Sequence, residues 1–226
     1  MERLELIRTL AYAGFFLILF GIAELLYHYG KVQVEITRKI VHLGTGLITL
    51  SFPLFLETHW SVLILAVSFV VVLGISKKLD LLKSINSIDR FSRGSVLYPI
   101  IIYVTYWTFT LFDDVLFFYL PILILAICDP IAALTGKRWP LGKYTIWNET
   151  KTIMGSGCFF LSCFVLTLIF AIPLRDNWIE IAMITLFISL FTTLAEAFSQ
   201  KGWDNLFIPL TVTATLLASQ YLFHLS

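Results

Sequence analysis

Residues 115–157 read VLFFYLPILILAICDPIAALTGKRWPLGKYTIWNETKTIMGSG. The stretch opens as an apolar run of about 20 residues, the length that crosses a bilayer as a helix. Inside that run stands an acid, Asp129, followed by Pro130. Beyond it come glycines at 136, 142, 155 and 157, the basic residues Lys137, Arg138, Lys143 and Lys151, and several hydroxyls. Spanning a membrane requires none of this mixture. Binding an anionic, phosphate-bearing ligand does.

Working outward, the rest of the chain is almost uniformly apolar. Its 226 residues are 58% hydrophobic and only 14% charged, with a mean hydropathy of +0.88. Soluble domains carry about 25% charged residues, so the bilayer must be this chain's solvent. A net charge of +1 gives no reason to expect nucleic acid as a partner. The cysteines, Cys128, Cys158 and Cys163, are odd in number, lie in or beside apolar runs and form no CxxC or His/Cys spacing, so neither a disulfide framework nor a structural zinc site is implied. Met1 to Ala23 has the outline of a signal peptide, but apolar spans continue to the end of the sequence, and it reads as a first membrane helix.

Eight spans are expected, at 10–29, 40–56, 59–76, 95–112, 115–135, 152–174, 178–198 and 204–225. Together they make one all-α polytopic bundle over residues 1–226, with a nucleotide- and metal-binding loop at 129–157. Of the 16 Lys and Arg residues, 13 fall in the connections after spans one, three, five and seven; only Arg3, Arg8 and Arg175 fall on the other side. The positive-inside rule puts the 13 in the cytoplasm and both termini outside. Spans two, four, six and eight then begin at the cytoplasm. Their positive dipole ends point at one compartment, with Thr37, Ser92 or Ser95, Thr150 and Asp204 as candidate caps.

Each polar group has a bland and a functional reading. A charge within a span costs ~3 kcal/mol on insertion scales. Asp129 therefore either pairs structurally with a lysine or holds Mg²⁺ through carboxylate and phosphate oxygens. Lys137, Arg138, Lys143 and Lys151 are in part an ordinary positive flank. Gly136 and Gly142, just ahead of basic residues, allow close backbone approach to phosphate. The loop is not a Walker A motif, because position 131 is Ile where that motif needs Gly. Lys151-Thr152 with Gly155-Ser156-Gly157 opens span six, either as small-residue helix packing or as an anion seat at a helix N-terminus. Arg38 and His42 share a helix face beside Lys39. Arg90, Ser92, Arg93 and Ser95, with Tyr98-Pro99, make a similar basic start to span four. Glu196, Asp204 and Asn205 bracket the last cytoplasmic turn, to cap it, to hold metal or to orient a hydroxyl. Glu24 and His28 face the same cavity in a weaker reading.

In this order and spacing, Arg38-Lys39-Ile40-Val41-His42, Arg93-Gly94-Ser95 with Tyr98-Pro99, Asp129-Pro130 leading to Gly136-Lys137-Arg138 and Gly142-Lys143, Lys151-Thr152 with Gly155-Ser156, and Glu196 with Asp204-Asn205 and Pro209 resemble the polyprenol kinase family. That family includes dolichol kinase, phytol kinase and CTP-dependent diacylglycerol kinase, and is similar in its motifs to phosphatidate cytidylyltransferase. The resemblance covers roughly residues 35–215. Cys128 stands where the family usually has Gly, and Met154 where it usually has an acid. The resemblance implies a CTP- and Mg²⁺-dependent kinase acting on a membrane alcohol: phytol, dolichol, another polyprenol or diacylglycerol. Asp129 and Glu196 are then the catalytic carboxylates, either one able to take the hydroxyl proton. Asp129 and Asp204 hold the metal. Arg38, Lys39, Gly136, Lys137, Gly142, Lys143, Lys151, Thr152, Gly155 and Ser156 bind nucleotide and phosphate. His42, Arg93, Tyr98 and Asn205 contact substrate. Two alternatives stand beside it: a cytidylyltransferase, which would release pyrophosphate, and a small transporter, which would place its site near the midplane on broken helices.

Overall fold

One helix is the axis of the bundle. Helix α7 (Leu116–Leu123) continues through a single π-helical turn (Ile124–Cys128) into α8 (Asp129–Arg138). Of this span 72% is buried, against 22–39% for the other membrane-length helices. Leu116, Phe117, Phe118, Leu120, Ile122, Ile124 and Leu125 are wholly buried, and a helix apolar on every side can be packed on every side.

The structure, a computed structural model, describes residues 2–79, 81–86, 93–147 and 149–223. Arg90 and Ser92 lie outside them. Around the axis stand α2 (Val34–Thr49), α6 (Gly94–Phe112), α9 (Ile153–Ala171) and α11 (Asp204–Phe223). Helix α1 (Arg3–His28) packs on α2, α4 (His59–Lys78) on α6, and α10 (Trp178–Phe198) between α9 and α11. Short helices α3 (Phe52–Phe55) and α5 (Lys83–Asn86) lie in connections. The architecture is thus all-α and polytopic, as expected. The exception is a small antiparallel hairpin, β1 (Lys143–Ile146) with β2 (Glu149–Thr152), in the loop before α9.

Among the described residues, seven helices are long and apolar enough to cross a membrane by themselves, rather than the expected eight. The difference is the second span. Its helix starts earlier, at Val34, stops at Thr49 and restarts for one turn at Phe52–Phe55. Thr49 Oγ1 donates to the Gly46 carbonyl and Ser51 Oγ to that of Ile48, and Pro53 has no N–H to continue the ladder. The segment nevertheless covers the full depth of α1. At one end Thr37 Oγ1 donates to the Ser84 carbonyl, and Ser84 itself donates to Glu24 of α1. At the other, Glu57 N–H donates to Glu5, and Arg8 pairs with Glu57 at 2.6 Å.

The end of the bundle holding Glu5 is tied by structural charges. Buried Glu5 accepts from Glu57 N, Thr58 N and Ser61 Oγ, closing the start of α4. Arg175 pairs with Asp114 and, at 3.0 Å, with Glu180, and Asn177 Oδ1 caps α10. Breaking a buried pair from one side strands the other charge, at about 3–5 kcal/mol. Arg175→Met is therefore expected to lower the melting temperature in detergent sharply, whereas Asp176→Asn leaves it nearly unchanged; equal melting temperatures for both would refute the structural role of Arg175.

Candidate active site

Pro130 shapes the site. In the π turn before it, the Leu125 carbonyl would take its hydrogen bond from the N–H of residue 130, which proline lacks. That carbonyl instead accepts from His42 Nε2 of α2 at 2.9 Å. One turn further along α2, Gly46 lies against the same helix: a Cβ there would stand 2.5 Å from Ala126 Cβ. Glycine lets α2 come close enough for His42 to reach. Tyr98 of α6 donates to the His42 carbonyl at 3.1 Å, and its ring lies 4.7 Å from the imidazole. The bond to a carbonyl requires the proton on Nε2, so the tautomer is set.

Directly below, Asp129 opens onto a polar cavity of about 140 Å³. Its walls are Glu35, Arg38, Lys39 and His42 of α2, Gly94 of α6, Asp129 and Ala133 of α8, and Gly202, Asp204 and Asn205 at the start of α11. The N-termini of α2, α6 and α11 meet here. Asn205 Nδ2 donates to the Gly94 carbonyl at 2.9 Å and Arg93 N–H to that of Lys201 at 2.8 Å, clasping α6 to α11. Asp204 Oδ1 accepts from Asn205 N–H at 2.9 Å.

Sequence-predicted residues divide around this cavity. Arg38, Lys39, His42, Asp129, Asp204 and Asn205 line it. Tyr98 lies beneath, holding His42. Arg93 is exposed, with its guanidinium 5.4 Å from the centre of the Trp203 ring. Lys151 donates from Nζ to Glu196 Oε1 at 2.6 Å and also to the Glu196 carbonyl. Both side chains are largely buried, at 17% and 11% exposure, so the pair acts as a unit. Asp129, Asp204, Glu196 and Lys151 are near enough to feel one another's charge.

The glycines belong mainly to packing. A Cβ on Gly136 would stand 2.7 Å from Thr152 Oγ1 and 3.4 Å from Gly155 Cα, so these two glycines set the approach of α8 to α9. Gly142 has φ +63° and turns the chain into the hairpin. Nothing lies within 4 Å of a Cβ on Gly157, so that position packs against no helix. Thr152, rather than Thr150, caps α9 by accepting from Gly155 N–H at 3.0 Å. Ser156 shares a 2.6 Å hydrogen bond with Tyr144. Lys137, Arg138 and Lys143 are exposed on the rim outside the cavity. Thr37 binds the Ser84 carbonyl, and Ser95 lies within α6, so neither is a cap. Glu24 binds Ser84 and His28 and does not reach the cavity.

Glu35 and Gly94 line the cavity without having been singled out as site residues. A signal for Glu35 was present: residues 35, 38, 39 and 42 recur at i, i+3, i+4 and i+7, one face of a helix.

An apolar slot adjoins the cavity. It runs between α1, α2, α4 and α6 and shares Arg38, His42, Gly94 and Asn205 with the polar chamber. Its cavity volume is about 100 Å³, against about 140 Å³ for the polar chamber. A chamber of carboxylates and cations thus opens into a greasy slot through four shared residues.

No family profile matches the chain, and no solved structure matches it. Among curated proteins it is similar to the phytol kinase of Synechocystis sp., with 29% identity over 200 residues, covering 88% of this chain and 86% of the relative. The likeness runs along nearly the whole of both chains.

Proposed function

We propose that the protein is a lipid-alcohol kinase, transferring the terminal phosphoryl group of a nucleotide, CTP on the family resemblance, to the hydroxyl of a membrane prenyl alcohol. The observation that carries this reading is the shared wall of the polar cavity and the apolar slot. A phosphate-bearing donor fits the first, and an apolar acceptor presents its hydroxyl from the second.

Phosphoryl transfer asks a protein mainly for positioning and for neutralisation of charge. Arg38 and Lys39, on the first turns of α2, face phosphate oxygens together with the N-terminal dipoles of α2, α6 and α11. His42 and Asn205 stand at the junction with the slot, where the acceptor hydroxyl arrives. A cavity carboxylate, Asp129, takes the hydroxyl proton. Glu196 is a weaker candidate for that role because Oε1 is held by Lys151 and the side chain does not line the cavity. It serves as a positioning residue that fixes the Lys151 ammonium near the phosphates.

Mg²⁺ suits this donor set. Asp129 and Asp204 offer hard oxygen ligands on one cavity, and Mg²⁺ is commonly held by one or two carboxylates together with substrate phosphates. Among the described residues no group of three or more His, Cys, Asp or Glu forms a preassembled metal cage, which accords with a cation that comes with the nucleotide. Bound there, it would neutralise phosphate charge. The charge distribution of the connections argues that the cavity faces the cytoplasm.

The deciding assay uses purified protein with labelled CTP or ATP and a panel of lipid alcohols. A nucleoside diphosphate together with a phosphorylated alcohol is the expected product pair; pyrophosphate with a nucleotide-linked lipid would identify a cytidylyltransferase instead. Asp129→Asn is expected to cut specific activity by roughly 10²-fold or more while the protein still inserts and stays monodisperse. Wild-type activity per folded molecule would reduce Asp129 to a structural group. Glu196→Gln weakens the hold on Lys151 by about 1.5 kcal/mol and should raise the nucleotide KM roughly tenfold, with the alcohol KM little changed. A parallel rise in both would count against the positioning role. In a Cys158→Ser background, a cysteine placed by Lys143→Cys should react with an impermeant thiol reagent from the cytoplasmic side only, because the remaining Cys128 and Cys163 are buried.

A further inference from the structure

Residues 139–152 join α8 to α9 and form a strap with two unlike faces. The inner face is tied to the bundle. Tyr144 shares a hydrogen bond with Ser156 of α9, Lys151 donates to Glu196 of α10, and Glu149 Oε1 accepts from the Lys201 N–H ahead of α11 at 2.8 Å. Along β1 the strand period of two turns alternate residues outward. Lys143, Thr145 and Trp147 are exposed, where Tyr144 and Ile146 are half-buried.

Backbone bonds set the level of the strap's foot. Ile153 N–H donates to the Gly142 carbonyl at 3.0 Å and Met154 N–H to that of Leu141 at 3.4 Å, on the first turn of α9. Trp139 N–H donates to the Thr135 carbonyl at the end of α8. Residues 139–142 are thus fastened between the ends of two membrane-length helices, where hydrocarbon gives way to headgroups. The side chains shown there are apolar: Trp139, Leu141 and Ile153 are 53%, 66% and 67% exposed, and Trp147 at the hairpin turn is 73% exposed. Tryptophan is enriched at that boundary, where an apolar ring with one polar edge fits both sides. Lys137, Arg138 and Lys143 stand among these side chains, exposed and outside the polar chamber. Among the described residues none of the three is in an ion pair. From 136 to 153 the sequence has one acid, Glu149, and its carboxylate is turned to Lys201. A cationic and aromatic patch at the bilayer surface, with no carboxylate of its own to answer it, complements an anionic surface.

We propose that the strap docks on the anionic phospholipid headgroups of the leaflet beside it. Trp139, Leu141 and Trp147 enter the interface, and Lys137, Arg138 and Lys143 meet the net negative charge of the headgroups. This surface is separate from the chamber and does not depend on the kinase reading. The hairpin is then held between headgroups on its outer face and the bundle on its inner face, with Lys151 on the inner side.

The test needs no turnover. A fluorophore is placed on the outer face by Thr145→Cys in a Cys158→Ser background, and the full-length protein is reconstituted in phosphatidylcholine nanodiscs. Part of the lipid is then replaced by brominated phosphatidylcholine or brominated phosphatidylglycerol, and quenching is compared. Stronger quenching by phosphatidylglycerol is expected, with the preference shrinking at about 1 M salt, where the Debye length falls to about 3 Å. Neutralising each cation by Lys137→Gln, Arg138→Gln or Lys143→Gln should lower the preference by up to about fivefold, the worth of one basic residue at an anionic surface. The triple variant should still be quenched, equally by both lipids, because its tryptophans remain at the interface. Four results would overturn the proposal: no quenching by either lipid, which puts the strap in water; equal quenching in the unsubstituted strap; a preference that survives in the triple variant; or loss of the preference on adding CTP or inorganic phosphate, which assigns these cations to a soluble anion instead.

Discussion

A carbonyl without an intrahelical donor, deep in the most buried helix of the bundle, organises the rest. Proline at 130 removes the N–H that Leu125 would use in the π turn, and an unpaired carbonyl in an apolar interior costs several kcal/mol. His42 meets that need at 2.9 Å. To reach it, α2 must lie against the central helix, which the bare Gly46 allows. Tyr98 then fixes the backbone of His42 from α6. Three helices are thereby registered against one another at the depth where Asp129 enters the cavity. The placement of the acid follows from the repair of the helix that carries it.

The two ends of the bundle handle charge in opposite ways. At the end near Glu5 and Arg175, carboxylates are consumed by the fold: Glu5 closes α4, Asp114 and Glu180 hold Arg175, and Asp114 also accepts from Leu116 N–H. At the other end Asp129 and Asp204 line a cavity, Asp204 while also accepting from Asn205 N–H. Acids left facing an opening, with Arg38 and Lys39 across it and helix N-termini around it, are an arrangement suited to a guest that brings its own negative charge and counter-ion. Glu196 and Lys151 stand between these cases, paired with each other but close to the chamber.

The legible part of this protein was whatever depends on hydrophobic length and chain order. Apolar runs gave the helices, and an acid inside a span marked Asp129, because each is local to a stretch of sequence. The second span was harder. Its 16 residues from Val34 are too short and too polar to count by themselves, and only the ties of Thr37 to Ser84 and, past α3, of Glu57 to Glu5 show that this stretch runs alongside α1. The glycines carry two readings at once for a physical reason. Close approach to a phosphate and close approach to another helix make the same demand on Cβ, and Gly136 and Gly155 answer the second. The Lys151–Glu196 pair joins residues far apart in sequence through a hairpin whose Tyr144–Lys151 register no helical periodicity reveals. The slot was invisible for a similar reason: its walls come from α1, α2, α4 and α6, and each contributes residues that look like ordinary core.

The junction between slot and chamber is where these constraints meet. A lipid alcohol is apolar except at one atom, and a nucleotide phosphate is charged wherever it reacts. A site for both must change from low to high polarity within about the length of a hydroxymethyl group, or water will compete with the alcohol for the phosphoryl group. Arg38, His42, Gly94 and Asn205 provide that change, each touching both compartments. Two of them are committed by bonds within the fold, His42 to Leu125 and Asn205 to Gly94. Their orientation is therefore set before any ligand arrives, and ordering them adds little entropic cost at the moment of binding. The same bonds that satisfy a proline-broken helix and clasp α6 to α11 preorganise the boundary at which an alcohol would meet a phosphate.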